Sequence, residues 1–193
     1  MDPIEDEMEY VSYLLDHWLV PSRISVDDTV YDSVVSCVME IYLNVFHHAE
    51  SPIGVVTCGQ YFPNKKELDI TLVDFGVGIP SNVRRFLKKS RLSAGNSIKW
   101  AFQEGNTTLK EPNTIPRGRG LKELKRFIQA NKGKIEVYSE TGRMVVDSNG
   151  EHAYNDMIHS FSGTVVQITL NCDEMKSAHE KFIGTIPTNN SLF

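Results

Sequence analysis

The chain of 193 residues is long enough for one domain with a sizeable apolar core and too short for a second domain of similar size. Its 40% hydrophobic and 23% charged residues are ordinary for a globular protein, and no apolar run is long enough to span a membrane. The three cysteines lie far apart without a C-x-x-C pair and the first residues are acidic rather than signal-like, which argues against a disulfide framework or a zinc site and predicts a soluble cytoplasmic protein.

The net charge of −5 conceals a basic central segment. Between Arg84 and Lys134 lie 14 of the 20 Lys and Arg residues, against three glutamates. A solvated lysine face would explain a charge run by itself. The position of this segment relative to the glycine motifs described below instead favours an anionic partner.

Two helices are predicted before residue 52. The segment "EDEMEYVSYLLDHWLV" has apolar residues at helical spacing and is closed by Pro21, so residues 1–26 are expected to form an amphipathic N-terminal helix and a linker. This helix is also a candidate dimer element. A second helix is predicted in "SVDDTVYDSVVSCVMEIYLNVFHHAE", with Asp27 or Asp28 as its cap and a valine-rich apolar stripe.

The rest of the chain alternates between strand and helix patterns. Two strands are predicted in "IGVVTCGQYF" and "ELDITLVDF", followed by short helices in "SNVRRFLKKS" and "SIKWAFQEG" and an exposed loop in "NTTLKEPNTIP". A further helix is predicted in "GLKELKRFIQANKG", then strands in "KIEVYSE", "RMVVDS" and "TVVQITLN", and a tail with a short helix over 173–193. This order predicts a two-layer α/β sandwich, whose mixed and mostly antiparallel sheet carries helices on one face.

Three polar residues line one face of the second predicted helix. Glu40, Asn44 and His48 are each four residues apart, so they share one helical face, distinct from the valine stripe. A carboxylate, a carboxamide and an imidazole could serve as a base, a Mg²⁺ ligand and a phosphate partner. Taken alone, the three residues are better explained as the polar outer face of a helix, and His47 could equally be the inward imidazole.

The stretch "VDFGVGIP" ends the second predicted strand with an aspartate and two glycines. Asp74 offers a carboxylate acceptor to an exocyclic amine such as that of adenine. Gly76 and Gly78 remove side chains where a flat base would approach the backbone, and both can adopt positive φ. A strand that simply ends in a turn is the alternative explanation.

A third motif, "RGRGLKEL", precedes another helix. Gly118 and Gly120 stand before a helix whose first amides are unpaired and whose dipole end is positive, and Arg117 and Arg119 add positive charge. Anions bind at such helix ends. A flexible basic loop before a helix would have the same sequence.

Together, in this order, the three motifs resemble the GHKL ATP-binding family, which includes gyrase-type topoisomerases, heat-shock chaperones, histidine kinases and MutL-like repair proteins. The segment "EIYLNVFHH" is similar to the N box of that family, "DFGVGIP" to the first glycine box and "GRGLKEL" to the second. The ending "GKIEVYSETG" with "SGTVVQITL" is similar to the closing strands, and the resemblance runs from about Asp27 to Leu170. It implies a Bergerat fold, here a stand-alone ATP-binding domain over residues 27–172.

The resemblance also implies roles for individual residues. Asp74 would accept the adenine amino group, supported by Thr164, and Asn44 would bind Mg²⁺. Glu40 would act as the catalytic base, and His48 would lie near the phosphates. Residues of the two glycine boxes would contact ATP: Gly76, Gly78 and Ile79 in the first, and Arg117, Gly118, Arg119, Gly120 and Leu121 in the second.

Residues 81–117 would then form an ATP lid, poor in apolar anchors and mobile without nucleotide. Thr107 and Thr108 of "EGNTT" resemble lid residues that fold over the γ-phosphate. A lid at this place would explain why basic residues gather here.

Three functions remain open. The first is an ATP-binding switch, or slow ATPase, whose lid state is read by a partner protein. The second is a serine/threonine protein kinase of the anti-sigma-factor type, acting on a separate STAS-like partner. The third is a nucleic-acid-binding module, disfavoured because aromatic residues hardly interleave with the basic ones and the overall charge is negative.

Overall fold

The computed structural model describes residues 9, 12–18, 20, 31–32, 35, 39, 51–103, 106, 120–154 and 157–183. The elements whose bounds lie within them are one six-stranded sheet, four α-helices, a π-helical turn at Leu14–Trp18 and a 3₁₀ turn at Cys172–Glu174. Tyr31, Asp32, Val35 and Met39 are also helical. The strands are β1 Val55–Phe62, β2 Glu67–Asp74, β3 Lys134–Glu140, β4 Gly142–Asp147, β5 Gly150–Tyr154 and β6 Phe161–Asn171. The helices are α1 Ile79–Leu87, α2 Ala94–Ala101, α3 Gly120–Ala130 and α4 Met175–Ile183.

The sheet has the order β1-β2-β6-β3-β4-β5, and every pairing among the described strands is antiparallel. The last strand, β6, therefore lies between β2 and β3 at the centre of the sheet. Helix α2 packs on β3, β4 and β5, α3 packs on β3 and β4, and α4 packs on α3. The predicted two-layer α/β sandwich is confirmed.

One face of the sheet forms the core. In β2 every second residue is buried, and Leu68, Ile70 and Leu72 have no exposed surface. Because antiparallel partners point to the same face, Ile70 of β2 lies beside Ile168 of β6 in the layer that meets the helices. From the helix layer, Ile98 of α2 and several side chains of α3 join the same core, namely Leu124, Phe127 and Ile128.

Edge strand β5 was not predicted, since "GEHAY" was assigned to a connection. Its residues are only partly buried or exposed, so the sequence lacks the apolar alternation that indicates a strand. Pairing with β4 and the tight turn at 148–149, where the Asn149 N–H donates to Asp147 Oδ1 at 2.7 Å, hold it in the sheet.

Two segments are more firmly packed than the sequence indicated. Ile98 and Phe102 lie in the core, so the expectation of few apolar anchors does not hold for residues 81–103. The remainder of the expected lid, 104–117, lies outside the described residues except for Asn106. Met175 and Ala178 of α4 are also fully buried, although residues 173–193 were assigned to a tail. No helix in the described ranges is both long and apolar enough to cross a membrane.

Candidate functional site

The carboxylate of Asp74 lies at the end of central strand β2 and is almost entirely removed from solvent, with 1% of the residue exposed. Its Oδ1 accepts a hydrogen bond of 2.8 Å from the Gly76 N–H. Burial raises the pKa of Asp74 above its ordinary value, and hydrogen bonds from Gly76 and Thr164 offset part of that rise because they stabilise the charged form. A buried acid with remaining acceptor capacity is a candidate partner for a ligand N–H.

Thr164 lies directly beside Asp74, because β2 and β6 pair in a register that places these two residues opposite each other. Thr164 is itself 3% exposed. The structure therefore brings together the two residues that were expected to recognise a base, although 90 positions separate them in the sequence.

The glycine pair after β2 has two different roles. Gly78 has φ of +76°, and a Cβ at this position would lie 2.7 Å from Ser139 Oγ and 3.1 Å from the Gly163 carbonyl oxygen. Only glycine fits both the conformation and the space. Gly76 has no positive φ, so the expectation that either glycine could use one applies to Gly78 alone. Ile79 follows as the first residue of α1, with Pro80 in the first turn.

Ser139 of β3 is a residue of the site that the sequence analysis missed. It is fully buried, its hydroxyl donates to the Gly163 carbonyl at 2.6 Å, and it accepts from the Ile79 N–H at 3.1 Å. Its Oγ also lies 3.4 Å from Thr164 Oγ1. The sequence did contain one signal for Ser139: it lies two residues after Val137, so the strand pattern places this polar side chain on the buried face.

Gly163 holds β6 against the end of β2. It has φ of +109°, and a Cβ there would meet the Asp74 carbonyl oxygen at 2.1 Å. The sequence analysis named Thr164 and the segment "SGTVVQITL" but not this close approach. The resulting cluster links three central strands to the start of α1 and fixes the Asp74 carboxylate in position.

Helix α1 is anchored to the same place by charge. The Arg84 guanidinium contacts the Glu140 carboxylate at 2.6 Å, and its Nε donates to the Leu92 carbonyl at 2.7 Å. The Ser81 hydroxyl donates to the other Glu140 oxygen at 2.8 Å. Glu140 follows Ser139 at a β-bulge, so these contacts couple α1 to the strand end that carries the site.

An apolar surface adjoins the cluster. Phe75, the residue after Asp74, is 46% exposed, and its ring centroid lies 5.8 Å from that of Phe161. The Phe75 N–H donates to Ser51 Oγ at 3.4 Å, which ties this bend to the chain before β1. An exposed ring beside a buried acceptor provides apolar contact for a flat heterocycle.

The second glycine motif opens a helix as expected, since α3 begins at Gly120 and continues through Leu121 for 11 residues. The backbone amides of its first turn lack intrahelical partners and favour an anion.

Most of the other predicted site residues lie outside the described residues: Glu40, Asn44, His48, Thr107, Thr108, Arg117, Gly118 and Arg119. Their roles therefore stay predictions, including Asn44 as the Mg²⁺ ligand. In the part of the chain that the structure describes, no group of three or more His, Cys, Asp or Glu side chains could hold a metal ion.

No protein-family model and no curated protein matches the chain. Among solved structures, it is similar to the "Histidine kinase domain from Erythrobacter litoralis EL346 blue-light activated histidine kinase", with 17% sequence identity and a TM-score of 0.42. The similarity covers 77% of this chain and 48% of that chain, so this chain spans about half the length of that structure.

Proposed function

We propose that the chain binds ATP with its adenine at the Asp74 end of the sheet, and that it works as a slow ATPase or as a nucleotide-dependent switch read by a partner protein. The observation that carries this proposal is the buried Asp74 carboxylate at a strand end, held by Gly76 and Thr164 and bordered by exposed Phe75.

In a pose that places position 6 of the purine at Asp74, the carboxylate favours adenine over guanine. A buried carboxylate is costly unless it gains hydrogen bonds, and the exocyclic amino group of adenine donates one. Guanine has a carbonyl oxygen at the corresponding position, which would face the carboxylate as a second acceptor. Hypoxanthine has the same carbonyl, so inosine triphosphate separates recognition of the amino group from binding of the triphosphate.

The phosphates would lie at the N-terminus of α3, where unpaired amides and the helix dipole favour negative charge. Arg117 and Arg119 precede this helix in the sequence. Asn44 would hold Mg²⁺, which when bound would neutralise phosphate charge. Glu40 would position or deprotonate the attacking nucleophile.

The test is calorimetric titration of the full chain with a non-hydrolysable ATP analogue, with inosine and guanosine triphosphates for comparison. Asp74→Asn should weaken binding by about 10- to 150-fold, because a charge-assisted hydrogen bond contributes about 1.5–3 kcal/mol. Asp147→Asn is the matched control, because Asp147 also ends a strand and accepts the N–H two residues on, at 2.7 Å.

Turnover is measured separately with γ-labelled ATP. Glu40→Ala should retain nucleotide binding and lose turnover. If Glu40→Ala and Asp74→Asn weaken binding equally, Glu40 does not have a separate catalytic role. Free phosphate without labelled protein indicates an ATPase, and label on an added partner protein indicates the kinase alternative. If folded protein gives no heat with adenine nucleotides, the proposal is wrong.

A further inference from the structure

A surface groove of about 240 Å³ lies between the end of α1 and helix α2. Leu87, Leu92 and Trp100 supply its apolar lining, while Lys89 and Lys99 stand at it as exposed cations. Next to it, Phe86 is 38% exposed, and its ring centroid lies 5.8 Å from that of Trp100. Exposed aromatic surface is typical of the anchor region of a protein–protein interface, and polar residues are typical of its rim.

The positive charge here lies away from the Asp74 carboxylate. Leu87 is eight residues along α1 from Ile79, about 12 Å of helix, so the groove lies at the end of α1 that points away from Asp74. Within the described ranges, Lys89 and Lys99 have no ion-pair partner. Among the described residues, the groove therefore presents apolar surface together with positive charge that no ion pair neutralises.

The N-terminal sequence has the complementary chemistry. Residues 1–10, "MDPIEDEMEY", contain five acidic residues and no Lys or Arg. Ile4 and Met8 are four residues apart, so a helix over this segment would present them on one face with glutamates beside them. An apolar stripe flanked by acids fits an apolar groove flanked by lysines.

The described end of the N-terminal helix and the groove lie near opposite edges of the sheet. The Trp18 ring packs against β1 at Gly59, since a Cβ added to Gly59 would lie 2.9 Å from that ring. Helix α2, which lines the groove, packs instead on β3, β4 and β5. Strands β1 and β4 are four positions apart in the sheet, about 19 Å. Glu9, Ser12, Tyr13 and Leu14–Trp18 are helical. A second copy can supply its acidic segment to the groove without that segment crossing the sheet of its own copy.

We propose that residues 2–9 of one copy dock in the α1–α2 groove of a second copy, and that the exchange is reciprocal. Such a contact is isologous, so the two-fold dimer contains it twice. This inference goes beyond the proposed function and does not depend on nucleotide binding.

The experiment is sedimentation equilibrium of the full chain over a range of concentrations at low and high salt. The wild type should dimerise more weakly at high salt, because exposed charges are screened. Lys89→Glu with Lys99→Glu should weaken dimerisation by about tenfold or more, because attraction is replaced by repulsion. Lys176→Glu, a charge reversal at an exposed position of α4, should leave it unchanged.

A charge exchange makes the test specific. The variant with Glu5→Lys, Glu7→Lys and Glu9→Lys, whose residues 1–10 keep Asp2 and Asp6 and gain three lysines, should also dimerise more weakly alone. Mixing it with the groove variant should restore a dimer, because each segment then meets a groove of opposite charge. A wild type that stays monomeric at every concentration overturns the proposal. So does dimerisation that groove reversal leaves intact, or a mixture that stays monomeric although circular dichroism shows both variants folded.

Discussion

Replacing Gly163 with alanine tests the geometry on which the site depends. Two costs add at this position. A side chain at φ of +109° is strained by about 1–3 kcal/mol, and the new Cβ would lie 2.1 Å from the Asp74 carbonyl oxygen, 2.8 Å from its carbon and 2.9 Å from Phe75 Cα. All three are backbone atoms, so relief requires β2 and β6 to separate. Overpacking adds about 1–3 kcal/mol, and the total loss of unfolding free energy should be about 2–6 kcal/mol.

Gly150→Ala is the matched control, since Gly150 has φ of +133° and nothing within 4 Å of an added Cβ. The free energy of unfolding of Gly150→Ala should fall only by the cost of the backbone strain. Urea titrations followed by circular dichroism give both free energies, and equal slopes show that the denatured states are comparable. In a chain whose total stability is about 5–15 kcal/mol, the difference is measurable. If the two variants lose the same free energy, β6 does not approach the Asp74 backbone and our account of the site is wrong.

Three further predictions concern the same cluster. Ser139→Ala should lower the free energy of unfolding by about 2–4 kcal/mol, because it leaves the Ile79 N–H and the Gly163 carbonyl without their hydrogen-bond partner. The control is Ser97→Ala, which removes a buried hydroxyl that donates at 2.9 Å to the Ser93 carbonyl and should lower the free energy by about 1 kcal/mol or less. Equal losses in urea titrations would contradict the hydrogen-bond network around Ser139. Because burial raises the pKa of Asp74, the carboxyl contributes stability fully below its unfolded-state value near 3.8 and loses that contribution as the pH rises through the folded-state pKa. Asp74→Asn should therefore be at least as stable as the wild type at neutral pH, which thermal unfolding checks, and a clear loss of stability would show that the carboxylate is structural. Nucleotide affinity should fall as the pH drops below the raised pKa in the wild type, and a pH-independent affinity measured by calorimetry would contradict the role of the charged form.

Strand β2 shows what local pattern can predict. In "ELDITL" apolar and polar residues alternate, so both the strand and its buried face follow from the sequence. The start of α3 at Gly120 was equally readable, because glycine-rich sequence precedes an amphipathic run. Strand β5 was not readable, since its pairing with β4 rather than its own composition makes it a strand.

Some residues of the candidate site could likewise be identified from the sequence, and others could not. Asp74 and Gly78 were identified from their place after a strand, and Thr164 from the resemblance of the closing strands. Ser139 was missed because a serine in an apolar strand has many explanations. Its role in the site depends on hydrogen bonds with Ile79 and Gly163, which are about 60 and 24 residues away in the sequence.

By itself, the sequence determined the elements with strong periodicity, the sandwich class, and the glycine and aspartate residues that end β2. Tertiary structure alone decided that the last strand lies between β2 and β3, which places Thr164, Gly163 and Ser139 around Asp74. The physical reason is that periodicity reports which face of an element is buried, whereas the choice of neighbouring strand depends on packing between segments far apart in the chain.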